Sequence, residues 1–576
     1  AAMILFSAIE EVGVLDEQGN LHIPRQALRE AVYGTTDFEG ITGTLTCGAD
    51  GDCADPSITV NQIENSEYVA IWNDKLGYVG EMAQPEPEPE VSGEPKILRV
   101  RLYGDIQNLD PAFQISENDT VVANAVMNGL VRYCPNSYDL CNELVESIDQ
   151  SEDGLEITFK LKEGVMWHNG YGELTTEDVK YSYERFLDPD LDAAYADDWA
   201  TLDHVEVIDK YNGKIILKEP FAPLWTSTMP VGSGTIISKK WVEEIGVDAF
   251  ATDIIGTGPY MFSEWRPQEM VILKKNPDYF GPEPYYDEIQ LIPIEDDKAA
   301  EVALEAGDLD WTRISIPSIQ RFDDNPDFAV WLKPSLRYRW IAMNLQHPKL
   351  QDINVRKAII NAIDVPSILQ ATYLGQVEQE CALVPPGLIG NWADAPCYQQ
   401  DLDAAREYMA AAGIDSLDLR LDLQDTSEYR TWAEIIQQNL AEIGINLELN
   451  PMESSAYWST SFGEQACTDN ELLTSNYSMN PDPAWATMWF TCDQITVWNT
   501  QCWCDERYDE LHQQGLVTLD PEERAQIYIE MQKIWDEAAQ TVWITHGVMS
   551  YAYAPGVAPA TTPHGTPQYH FFTSNE

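Results

Sequence analysis

Between Gln84 and Pro95 the chain reads Gln-Pro-Glu-Pro-Glu-Pro-Glu-Val-Ser-Gly-Glu-Pro, and a compact domain does not run through such a segment. Each proline fixes its own φ and removes an amide donor, while the alternating glutamates repel one another, so the backbone is held near polyproline II. At roughly 3.1 Å per residue this spacer, residues 84–95, reaches about 35 Å. It separates an upstream stretch, residues 1–83, from a much larger unit, residues 96–576.

The two parts differ in what they can bury. Upstream, Ala1–Glu11 and Arg25–Val32 are apolar at helical spacing, Gly19-Asn20 turns a hairpin between Val14-Leu15 and Leu21-His22-Ile23, and Ser57–Ile63 alternates as a strand. That makes a thin core. Downstream, alternation predicts strands at Ile97–Tyr103, Leu155–Leu161, Val205–Ile208, Lys214–Leu217, Met270–Lys274 and Glu288–Ile294. Helical spacing predicts helices at Val121–Val131, Thr176–Phe186 (capped by Thr175 or Thr176), Val355–Ile363, Asp403–Ala412, Tyr429–Ile443 and Pro521–Ala539. Strands and helices mix without a clean repeat, which predicts an α/β protein of several lobes built from non-consecutive segments.

Charge then narrows the function. With 96 acidic and 34 basic residues the formal net charge is -62, and a surface of that sign repels nucleic-acid phosphates and anionic lipid headgroups. Folding is not in doubt, because 44% of residues are hydrophobic and 18 Trp, 27 Tyr and 15 Phe supply core surface. No uninterrupted apolar run is long enough to cross a membrane, and Ala1–Phe6 lacks a basic leader, so a mature chain without a signal peptide is expected.

Ten cysteines indicate the compartment. Cys47 with Cys53, Cys134 with Cys141 and Cys381 with Cys397 close small loops; Cys467, Cys492, Cys502 and Cys504 leave three pairings open. Disulfides in an extracellular, cell-surface or periplasmic setting are the reading, since there is no CxxC of zinc-site type. Asp50, Asp52 and Asp55 lack the distal Glu of an EF-hand and read as a solvated turn. No metal or cofactor is expected.

The motifs are carried by residues 96–576. Asn108-Leu109-Asp110-Pro111-Ala112, Met127-Asn128-Gly129-Leu130 and the run from Ser151 through Trp167-His168-Asn169-Gly170 strongly resemble family 5 extracellular solute-binding proteins, the peptide, nickel and oligosaccharide receptors of ABC importers. Gly256-Thr257-Gly258-Pro259-Tyr260, Leu273–Tyr279, Asp352–Ile359 with Ala362-Ile363-Asp364, and Asn480-Pro481-Asp482-Pro483 follow in the family's order. The resemblance implies a bilobal periplasmic-binding-protein-like fold (type II, cluster C) with an extra subdomain near 136–240. Lobe I would span approximately 96–337 and 548–576, and lobe II 338–547. It also implies an ABC transporter permease as partner. Upstream, Phe38-Glu39-Gly40-Ile41-Thr42-Gly43 followed by Asp50-Gly51-Asp52 resembles the C-terminal end of type I (branched-chain amino-acid) periplasmic binding proteins, implying a small α/β remnant. Such a remnant is either the start of this chain inside a longer tandem receptor or a docking module.

In this family the loop after the Leu-Asp-Pro block lines the cleft, which places Phe113, Gln114, Ser116 and Glu117 there. A crossing strand before the Asp-Ile-Asn block also contributes; alternation puts Tyr338, Trp340 and Ala342 on one face and Arg337, Arg339 and Ile341 on the other. Tyr338 and Trp340 are the candidates, with lobe core as the rival position for Trp340. Peptide-binding members share an Asp-Tyr-x-x-Pro run whose leading Asp pairs with the peptide α-ammonium. Met479 stands at that position here, followed by Asn480 and Asp482. A thioether does not offset the desolvation of an ammonium. Either the ligand is not gripped by its amino end, or a carboxylate such as Glu117 or Asp482 substitutes. Tyr477, Trp485, Trp489 and Trp498 concentrate aromatic surface around this run.

The expected function is capture of a peptide or similar polar organic solute, without catalysis. No GxSxG or HExxH occurs, and acid pairs carry no information in a chain with 96 acids. The alternative is a cell-surface assembly or scaffold protein that keeps the receptor fold and self-associates through its N-terminal remnant.

Overall fold

The computed structural model describes residues 95–114, 116–461, 463 and 466–574, together with Ala31 and the backbone of short strands between Val14 and Tyr78. Contacts divide the chain into two units, Ala1–Gly93 and Glu94–Glu576. In the first, Val14–Leu15 pairs antiparallel with Leu21–His22, Phe38–Gly40 with Gly43–Leu45, and Thr59–Glu64, Glu67–Asn73 and Gly77–Tyr78 form a three-stranded sheet. The helix expected at Ala1–Glu11, most of that at Arg25–Val32, the Cys47/Cys53 pair and most of the Pro/Glu spacer lie outside the described residues.

The second unit is organised by three sheets. A seven-stranded sheet runs in the order Tyr260–Arg266, Met270–Lys275, Glu288–Pro293, Ile97–Leu102, Trp311–Arg313, Val548–Tyr553, Ala329–Pro334. A five-stranded sheet runs Ile445–Met452, Leu417–Gln424, Leu472–Ser478, Arg337–Met343, Thr541–Thr545. The chain leaves the first sheet after Pro334, enters the second at Arg337, and returns between Thr545 and Val548. Two lobes of non-consecutive segments joined by two short crossings result, a connectivity that permits one lobe to hinge against the other. A four-stranded antiparallel sheet, Val145–Gln150, Glu156–Leu161, Asn212–Leu217 and Leu202–Val207, forms a subdomain with its own core around Phe159, Tyr183 and Trp199.

Helices pack on these sheets through apolar faces and are fixed at their starts by side-chain caps. Thr175 and Asp178 form a capping box at Thr176–Glu184, Asp352 caps Ile353–Ala362, Thr426 caps Ser427–Ala441 and Asp520 caps Pro521–Glu537. Among the described residues Cys134–Cys141, Cys381–Cys397, Cys467–Cys502 and Cys492–Cys504 are disulfides. The last two settle the pairing that sequence left open.

Blocks far apart in sequence meet at one backbone crossing. The helix Glu117–Val126 stops where Gly258 N donates to the Val126 carbonyl at 2.9 Å. A Cβ on Gly256 would sit 1.9 Å from that oxygen and one on Gly258 2.4 Å from it, so neither position admits a side chain. Beside them His168 Nδ1 accepts from Gly256 N at 3.2 Å, and its Nε2–H donates to the Gly258 carbonyl at 2.9 Å. Asn276 Nδ2 donates to the same carbonyl at 2.9 Å, and Thr257 Oγ1 to Asn128 Oδ1 at 2.9 Å. Burial lowers the His168 pKa to about 4, leaving the neutral ring this arrangement needs. The crossing also corrects the helix expected over Val121–Val131. With Val126 O taken by Gly258, the chain turns extended at Met127, and Asn128–Gly129 and Val131–Tyr133 are strands.

Candidate functional site

Both lobes wall one cavity of about 690 Å³, within the range of small-molecule clefts. The seven-stranded sheet contributes Arg313 and the returning stretch Val548–Ser550; the five-stranded sheet contributes Ser335–Arg337, Arg339 and Ser478–Asn480. Gln114 and Glu117 close it at the start of the first helix, and the subdomain adds Tyr195, Asp198 and Val231–Ser233.

Its arginines are in two different electrostatic states. Arg313 donates to Glu117 at 3.3 Å and lies over the rings of Tyr103 and Tyr551. Burial opposes its charge, but Tyr103, Tyr551 and Glu117 outweigh burial and raise its pKa. Arg339 pairs with Glu428 at 3.2 Å and donates to the His546 carbonyl at 3.2 Å; again burial is outweighed, by Glu428 first, and the pKa is raised. Arg337 has no carboxylate partner among the described residues. Its side chain reaches the solvent of the cavity, yet the walls enclose it enough that desolvation lowers its pKa, with Arg339 and Arg313 adding repulsion. Ser335 Oγ accepts from Arg337 N at 3.0 Å and fixes the strand entry.

On the acidic side, Asp198 accepts from Ser233 Oγ at 2.7 Å and has no cation partner among the described residues. Desolvation raises its pKa to about 6 against the effect of that hydrogen bond. Asp297 pairs with Arg101 at 2.7 Å. His564, also on the wall, is driven to about 4 by burial and by nearby Lys333.

Of the residues expected from sequence, the structure brings Gln114, Glu117, Met479, Asn480 and Trp485 to this cavity. Eight others are elsewhere. Phe113 packs against the subdomain core, and Ser116 accepts from Asn118 N as the helix cap. Tyr338 and Trp340 are fully buried and stack at 5.2 Å in the lobe core, with Tyr477 edge-on to them; Tyr477 donates to the Trp498 carbonyl. The crossing strand therefore presents its arginine face to the cavity and its aromatic face to the core, which corrects the cleft position expected for Tyr338 and puts Trp340 in the core position weighed as its rival. Asp482 is fully buried, caps Pro483–Thr487, and holds Arg524 by two bonds of 2.7 and 2.8 Å. Trp489 and Trp498 pack on each other at 5.5 Å beside this core. Ile115 lies outside the described residues. Sequence reasoning missed Arg313, Arg337, Arg339, Asp198 and Ser233. The one available signal was the pair of arginines two apart on a predicted strand in a base-poor chain.

A sequence profile of "Bacterial extracellular solute-binding proteins, family 5 Middle" matches residues 140–495. Di/tripeptide-binding protein 2 of Pseudomonas aeruginosa is 26% identical over 500 residues, covering 81% of this chain and 93% of that protein. Glutathione-binding protein GsiB of Escherichia coli K12 is 26% identical over 458 residues, covering 77% and 88%. Among solved structures, the ABC transporter substrate-binding protein CtaP from Listeria monocytogenes superposes with a TM-score of 0.76 at 22% identity, covering 84% of this chain and 100% of its own. The periplasmic binding protein DppA from Helicobacter pylori, in complex with the peptide STSA, gives 0.69 at 22%, covering 83% and 98%. These solved structures share the fold, and with the profile matching residues 140–495, more than half of its length, the chain belongs to the family 5 bacterial extracellular solute-binding proteins.

Proposed function

We propose that this receptor captures a short zwitterionic peptide in the interlobe cavity and passes it to an ABC importer permease, with no chemical step. The observation that carries the proposal is Arg337, a solvent-facing cation on the cavity wall beside two other arginines that forms no ion pair among the described residues. A cation that loses part of its hydration at the cavity wall and meets like charges there gains from a ligand carboxylate. A neutral sugar gives Arg337 no counter-charge, and a metal ion is repelled by it. The peptide-binding and glutathione-binding relatives support the same class.

The lobe limits fit this reading at approximately 96–337 with 548–576, and 338–547, with the subdomain near 136–240. For residues 1–83 the proposal keeps the remnant of a type I binding protein, supported by the sequence run around Phe38–Gly43. The disulfides support a setting outside the cytoplasm. Differential scanning fluorimetry against di- and tripeptides, oligosaccharides and divalent metals tests the function. Peptides at a hundredfold excess over Kd should stabilise by about 2.7 kcal/mol. Shifts with sugars or metals alone would overturn it.

A further inference from the structure

A zwitterion held by its carboxylate leaves an ammonium to be placed, and the cavity has few groups free to take it. Glu117 is committed to Arg313 at 3.3 Å and Asp297 to Arg101 at 2.7 Å. Asp482 is buried under Arg524, away from the cavity. Met479, at the position where sequence reasoning looked for an acid, is neutral. Asp198 remains. Ser233 Oγ donates to its Oδ2 at 2.7 Å, and among the described residues no hydrogen bond engages Oδ1.

Asp198 does not stand alone. Gln114 is 3% exposed, its Nε2 donates to the Leu109 carbonyl at 2.6 Å, and its Oε1 is buried without a partner. The Leu109 bond fixes the amide orientation, since a flipped amide would set oxygen against oxygen. Both acceptors border the same turn: a Cβ on Gly232 would lie 3.5 Å from Gln114 Oε1, and the next residue, Ser233, holds Asp198. That turn is rigid. Trp199 Nε1 donates to the Ser233 carbonyl at 3.0 Å, and Tyr195 OH donates to the Gln114 carbonyl at 2.6 Å. An orphaned buried carbonyl oxygen and a carboxylate with an open oxygen, bordering one turn of the cavity wall, suit a group with several N–H donors and a positive charge.

We propose that Asp198 and Gln114 bind the primary ammonium of the ligand, so that a peptide lies with its amino end toward the subdomain and its carboxylate toward the crossing strand. The inference rests on the peptide reading above and assigns its amino-end specificity. Isothermal titration calorimetry at pH 7 with trialanine and N-acetyl-trialanine, on wild type, Asp198→Asn and Gln114→Leu, tests it. Wild type should prefer the free amine by on the order of 30-fold, the effect of one charge-assisted hydrogen bond. Asp198→Asn should reduce the preference to about threefold or less, and Gln114→Leu should reduce it by roughly fivefold. Asp198 keeps its Ser233 contact in the Asn form, and Gln114→Leu supplies an independent reading should that variant fold poorly. An undiminished preference in both variants would overturn this inference alone. A wild type that binds both peptides equally would also overturn it while leaving peptide capture intact. A wild type that binds neither would overturn both readings together.

Discussion

Replacing Arg337 by methionine separates binding from stability. In the empty protein this guanidinium has no ion pair among the described residues, and desolvation together with Arg339 and Arg313 disfavours its charge. Methionine keeps much of the apolar stem and removes the repulsion, so folding stability should hold or rise slightly. Binding should behave oppositely. If the ligand carboxylate meets Arg337, its loss removes a charge-assisted interaction worth on the order of 2–3 kcal/mol, a roughly 30- to 150-fold rise in Kd. Arg339→Met is the internal contrast: it breaks the 3.2 Å pair with Glu428 and the bond to the His546 carbonyl, so it should lower the unfolding midpoint. Calorimetric titration with one tripeptide and urea unfolding of the empty proteins give both quantities. An Arg337→Met protein with unchanged affinity, or one whose affinity and stability fall together, would refute the reasoning.

Further outcomes follow from packing and titration. Arg524→Ala strands a fully buried Asp482 carboxylate and should cost about 3–5 kcal/mol in urea unfolding, whereas the double change to Met and Asn should cost clearly less. Gly256→Ala places a Cβ against the Val126 carbonyl and should cost about 3 kcal/mol or prevent folding, read by circular dichroism and thermal melting. His168 has a native pKa of about 4 against 6.5 when unfolded, so its neutral-ring contribution is full above 6.5 and is lost as pH falls toward 4, where only the unfolded chain takes the proton. The stability gap between wild type and His168→Gln should therefore shrink by about 2–3 kcal/mol between pH 7 and 4.5, and a pH-independent gap would contradict the assignment.

Much of the fold was legible in the sequence because its signals are local. Met270–Lys275 alternates, and Pro521–Glu537 opens with an aspartate cap and a proline, so both elements are located by pattern alone. The Val121–Val131 helix fails for a non-local reason: its end is set by a glycine pair in a distant loop, just before the strand Tyr260–Arg266. The site was harder to read. Alternation on the crossing strand separates the arginines from the aromatics, but it does not say which face meets the cavity, whose wall is completed by distant segments such as Val548–Ser550. Asp198 carries no local mark among 96 acids. Its role depends on Ser233 and Gln114, which only the folded chain places beside it.

The most direct test of the account is a crystal structure of the protein with a bound tripeptide. The account predicts the ligand in the cavity between the lobes, its carboxylate within hydrogen-bond distance of Arg337. A tripeptide bound outside that cavity, or one whose carboxylate leaves Arg337 facing solvent, would contradict it.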